Sequence, residues 1–149
     1  MFSGRPVSPD LVGVWRLVSL REARDGGAEG DSADFGPAPK GTIVYTASGH
    51  VSVSFMDPRR RPWLSEAEPT DPELAAAARG YGTYAGRWEV NEEEGSVLHH
   101  VETALIPNRV GTTLIRNFVL DGNRLILRPP RFVRGGTRID RTLVWERVG

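Results

Sequence analysis

The chain has 149 residues, 39% hydrophobic and 26% charged, the size and composition of one domain able to build its own core. Its 19 Lys and Arg balance 19 Asp and Glu, which leaves no net field to steer it onto nucleic acid or an anionic membrane. The absence of cysteine excludes disulfides, thiolate catalysis and Cys-based metal centres, leaves only His and carboxylate as metal ligands, and suits a reducing compartment.

Met1 to Leu11 carries neither a basic start followed by an apolar stretch nor a small-residue cleavage site, and reads as an N-terminal extension of a single domain covering 1–149. No apolar run approaches the roughly 18 residues of a membrane span, so a cytoplasmic protein is expected. Glycine and proline punctuate short stretches rich in Val, Ile, Leu, Thr, Trp and Tyr, which predicts an all-β chain with tight connections. Eight strands are predicted, at Gly13–Ala23, Gly41–Thr46, His50–Met56, Tyr84–Asn91, Ser96–Leu105, Thr112–Leu120, Asn123–Pro129 and Arg138–Val148. Residues 24–40, rich in Gly, Asp, Ala and Pro, read as a surface loop.

One short helix is expected between the third and fourth strands. Asp71 is read as its N-cap, Pro72 as its first helical position, Glu73 as an acid at the positive end, and Gly80 as its stop. Earlier in that connection, Arg59-Arg60-Arg61-Pro62-Trp63 reads as a solvated charged loop, and Arg131 to Gly136 reads likewise.

Turn chemistry assigns faces. With Ala47-Ser48-Gly49 as a three-residue loop, Ile43, Tyr45, Val51, Val53 and Phe55 share one side. An even loop ending at Glu94-Gly95 places Trp88 and Val90 with His99 and Val101, and leaves Arg87, Glu89, His100 and Glu102 together on the other side. With Asp121-Gly122 as the centre of a two-residue turn, Phe118 faces Leu125, Arg116 faces Leu127 and Leu114 faces Pro129. That face is apolar apart from Arg116, so an inward arginine is expected.

Sequential short strands are best reconciled by an eight-stranded up-and-down antiparallel barrel, whose closure satisfies its edges; a two-sheet sandwich is the alternative. In such a ring the last strand pairs with the first, so Arg147 can lie over Trp15. The opening Gly13-Val14-Trp15 has the G-x-W form with which lipocalins close one barrel end. The ordered series Leu11-Val12-Gly13-Val14-Trp15-Arg16-Leu17-Val18-Ser19, Gly41-Thr42-Ile43-Val44-Tyr45, Tyr84-Ala85-Gly86-Arg87-Trp88-Glu89-Val90, His99-His100-Val101-Glu102, Pro107-Asn108, Gly111-Thr112 and Trp145-Glu146-Arg147 resembles the small lipocalin-like domains of bacteria and fungi. The resemblance implies a calycin-type barrel with an internal pocket. Some such barrels act as cofactor-free cyclases or isomerases of secondary metabolism, and others have no assigned reaction.

The expected function is binding of a small, largely apolar or aromatic molecule, with or without an acidic group, in the barrel. The candidate lining is Tyr45, Val53, Phe55, Tyr84, Trp88, Leu114, Arg116, Phe118 and Leu127. The alternative is an isomerase, cyclase or dehydratase of a polyketide-like or terpenoid-like compound, with His99 or His100 as acid/base and Arg116 stabilising an anion. Glu102, two residues after His100, joins it and Arg87 as a wall ion pair or, if that face turns inward, as a polar site. Adjacent histidines on a strand point to opposite sides, so no metal site is expected; nor is any cofactor, since no nucleotide fingerprint or nucleophile elbow is present.

Overall fold

The computed structural model describes residues 8–149. Its strands are β1 (Gly13–Arg24), β2 (Glu29–Asp31), β3 (Lys40–Tyr45), β4 (His50–Met56), β5 (Tyr81–Asn91), β6 (Ser96–Ala104), β7 (Thr113–Asp121), β8 (Arg124–Arg128), β9 (Phe132–Arg134) and β10 (Thr137–Arg147), with helix α1 at Asp71–Arg79. Strands β1, β3, β4, β5, β6, β7, β8 and β10 pair antiparallel in that order, and β10 returns to β1, which closes an eight-stranded barrel. The two-sheet alternative falls away. None of the described helices is long and apolar enough to cross a membrane.

Two short strands lie outside the predicted set, β2 against β1 and β9 against β10. At three residues each they are too short for alternation to show in sequence. Because β2 forms, the helix follows the fourth strand rather than the third. The 24–40 segment is likewise more than a surface loop: Phe35 is buried and its ring meets Phe55 at 4.8 Å.

Helix α1 starts one residue earlier than expected. Thr70, not Asp71, is the N-cap, and it forms a capping box in which Glu73 N–H donates to Thr70 Oγ1 and Thr70 N–H donates to Glu73 Oε1. The bond from Thr70 N–H holds the Glu73 carboxyl below its usual pKa, with Leu64 N–H adding a further bond.

Hairpin geometry decides which side chains face the lumen. The β3–β4 loop is the predicted one, with Gly49 at φ 88° and Tyr45 opposite Val51. The β7–β8 turn instead centres on Gly122-Asn123, with Gly122 at φ 59° as the first central residue, so Phe118 faces Leu127 and Leu120 faces Leu125. This moves the pairing by two residues, and an even shift preserves the face, so Arg116 stays on the inward set with Leu114, Phe118 and Leu120.

The two barrel ends differ in their connections. At one end the chain turns tightly at 46–49, 92–95 and 122–123, and the first residues described fold over the opening. There Trp15 Nε1–H donates to Leu11 O at 3.0 Å, and the Arg147 guanidinium lies 4.2 Å from the Trp15 ring while donating to Val12 O and Asp10 O. Leu11 is fully buried and belongs to this plug; residues 1–7 of the expected extension lie outside the described residues. The opposite end, the mouth, carries the long connections 25–39, 57–80, 105–112 and 129–136.

Candidate functional site

Three fully buried indoles, Trp15, Trp88 and Trp145, fill much of the lumen. Toward the mouth a cavity of about 40 Å³ remains, room for only a few water-sized groups. Its apolar wall is Ile43, Val53, Phe55, Leu127, Pro129 and Leu143; its polar wall is Tyr84, Arg109, Arg116, Arg141 and Trp145. Alternation along β3, β4, β8 and β10 delivers the apolar set, since each of those strands turns every second residue inward.

Beneath this cavity a histidine is clasped by two phenols. Tyr45 Oη lies 2.7 Å from His99 Nε2, and Tyr84 Oη lies 2.6 Å from His99 Nδ1. The three residues come from β3, β5 and β6, and all are buried. Tyr84 reaches His99 over Gly86, beside a bulge in β6 where Glu102 is the extra residue between the Gly86–Val101 and Ala85–Thr103 pairs; a Cβ on Gly86 would sit 1.9 Å from His100 O. Burial pushes the His99 pKa well below its usual value, and the charges of Arg116 and His100 add to this, so the imidazole is neutral. Burial likewise raises the Tyr45 phenol, as does Tyr84, while Arg116 opposes them.

The guanidiniums around the cavity are unequally partnered. Arg141 is ion-paired with Glu22, its cross-strand neighbour, with Nη2 at 2.7 Å from Oε2. Among the described residues, neither Arg109 nor Arg116 has a carboxylate within ion-pair distance; Arg116 donates only to Ile115 O at 3.2 Å, and Arg109 lies 6.0 Å from the Tyr84 ring. Burial and the neighbouring Arg116 and Arg141 charges lower the Arg109 pKa. Two cations without carboxylate partners thus share an apolar recess.

Of the residues proposed from sequence, Val53, Phe55, Tyr84, Arg116 and Leu127 stand on this cavity wall. Tyr45 and Trp88 lie in the core off that wall, edge to face at 4.7 Å, and Leu114 and Phe118 pack against the core. His99 faces inward. His100 and Glu102 face the outer wall, where His100 Nδ1 meets Thr113 Oγ1 at 2.8 Å and Arg87 Nε lies 4.0 Å from Glu102. Arg87 sits directly across from His100, not from Glu102. The barrel wall therefore separates His100 and Glu102 from His99 and Arg116, and the four cannot meet one ligand together. Sequence reasoning did not name Ile43, Arg109, Pro129, Arg141, Leu143 or Trp145 as lining groups. The signal for three of these was present, because Arg141, Leu143 and Trp145 share the inward register of the last strand; Arg109 sits in a 3-10 turn, Pro107–Arg109, that has no such period.

Larger crevices of about 460 and 620 Å³ lie outside the barrel, between the 57–64 segment and α1. Two of their guanidiniums are engaged: Arg59 with Asp57 at 3.0 Å, and Arg60 with Ala77 O and the Tyr81 ring. The expected charged loop is thus anchored at Arg59 and Arg60.

No curated protein matches the chain. A family profile described as a lipocalin-like domain matches residues 12–148, a span that runs from the plugged end through every strand of the ring. The lipocalin-like barrel suggests small-molecule binding in general, and with its Trp15–Arg147 closure and its inward-facing recess the chain belongs to the lipocalin-like domain family.

Proposed function

We propose that the protein binds a small, largely apolar molecule in the mouth cavity, with its polar end beside Arg109 and Arg116. The observation that supports this is the pairing of an apolar wall with two guanidiniums that have no carboxylate partner among the described residues. Holding such cations in a recess is unfavourable unless something compensates, and a guest supplies the compensation. A cavity of about 40 Å³ takes the polar end alone, so the body of the guest extends from Phe55 and Pro129 toward the mouth connections. A cytoplasmic protein without nucleic-acid partners fits the cysteine-free, charge-balanced sequence. The test is a titration with hexanol, hexanoate and benzoate, followed by the methyl resonances of Val53, Leu127 and Leu143. Saturable shifts are expected from at least one compound; methyls unmoved by all three would end this reading.

A second reading, a cofactor-independent isomerase, cyclase or dehydratase of secondary metabolism, draws on one observation: Tyr84, hydrogen-bonded to His99, is on the same wall as Arg116. In that reading His99 acts through Tyr84, since both its ring nitrogens are engaged by phenols.

A further inference from the structure

The hydrogen bonds around His99 have a direction that can be worked out from burial. Tyr45 is buried and off the cavity wall, and its hydroxyl has one partner among the described residues, His99 Nε2. A buried O–H left without an acceptor costs about 1–3 kcal/mol, so the Tyr45 proton goes to Nε2. A neutral imidazole carries one proton, which then sits on Nδ1 and is donated to Tyr84 Oη. Tyr84 has thereby accepted a bond, and its own proton is left to point elsewhere. Because Tyr84 stands on the cavity wall, that proton is available to the cavity.

The other polar groups on this wall are also donors. Arg109, Arg116 and Arg141 have no acceptor atoms, and Trp145 is fully buried with no acceptor for its Nε1–H among the described residues. Glu22, the carboxylate paired with Arg141, is also engaged by Arg24. Toward the cavity every polar side chain on the wall therefore offers a proton, and Tyr84, the one hydroxyl among them, already accepts from His99.

We propose that the cavity is a carboxylate receptor: a guest's carboxylate accepts from Tyr84 Oη–H, Trp145 Nε1–H and the Arg109 and Arg116 guanidiniums, with Tyr45 and His99 as positioning residues that hold Tyr84 in its donating state. This rests on the reading that a guest occupies the cavity, and it adds what the guest's polar end must be. A carboxylate offers about four lone-pair sites and full charge, whereas an amide offers one oxygen and brings two donors of its own. The space of about 40 Å³ suits a planar three-atom head.

The test compares hexanoate with hexanamide, matched in length and differing in the head, by calorimetry and by the ¹⁵N–¹H resonance of Trp145 Nε1. Hexanoate is expected to bind at least tenfold more tightly and to shift that resonance downfield; Tyr84→Phe is expected to remove most of the tenfold preference. Equal affinity for the two compounds, or binding of neither, would overturn the carboxylate assignment; the binding reading falls only if hexanol and benzoate fail to bind as well. The polarity of the chain is read without any variant from the ¹⁵N shifts of the His99 ring in the free protein. Protonated Nδ1 and bare Nε2 are expected, and the reverse tautomer would refute the positioning role of Tyr45 and His99.

Discussion

At the sealed end, Arg147 lies over an indole and donates to the carbonyls of Val12 and Asp10, so its charge is matched by aromatic face and backbone dipole. At the mouth, Arg109 and Arg116 sit beside aromatic and aliphatic groups with no carboxylate in reach among the described residues. The same residue type thus serves as a structural rivet where acceptors are supplied and as a receptor where they are withheld. Acceptor count, rather than burial or residue identity, separates the two.

Three measurements press on this contrast. Trp15→Ala removes the ring beneath Arg147 and leaves a large void at the sealed end; a loss of about 3–5 kcal/mol in urea unfolding is expected. A loss under about 1 kcal/mol would show that the plug carries little of the fold. Next, the same leucine substitution applied at both ends should separate them. Arg147→Leu strands the two carbonyls and is expected to cost about 2 kcal/mol, while Arg116→Leu is expected to stay within about 0.5 kcal/mol of the parent or to stabilise it. Equal losses at both ends would erase the distinction.

The last of the three concerns pH. His99 has its folded pKa held well below 6.5, so as pH falls past about 6.5 the unfolded chain takes up a proton that the folded chain refuses. Its contribution is therefore present above that pH and is lost on acidification toward the folded-state pKa. Urea stability between about pH 7 and about pH 5 should decline with a slope approaching about 1.4 kcal/mol per unit. In His99→Gln this decline should vanish; an unchanged slope there would assign it to another group.

The strands and the inward face of β7 were legible because alternation fixes the face, and the misplaced β7–β8 turn shifted the pairing by an even number of residues, which leaves that face unchanged. Arg116 was found on that basis. The clasp on His99 was not, because it joins residues of three strands diagonally: Trp88, not Tyr84, is the direct partner of His99 across β5 and β6, and the phenol reaches it over Gly86, beside the β6 bulge at Glu102. Pairwise strand matching sees direct neighbours and is blind to such reaches. Thr70 as helix cap was present in the Thr-x-x-Glu spacing, and was overshadowed by the aspartate beside it.

The seam between β1 and β10 joins partners far apart in sequence, such as Arg16 with Glu146, 130 positions on, and Glu22 with Arg141, 119 positions on. During synthesis the growing ribbon therefore exposes two raw borders, one on β1 and one on β8, until β10 has left the ribosome and slots between them. Whatever shields those borders in the interval guards the protein against clumping before it ever meets a guest.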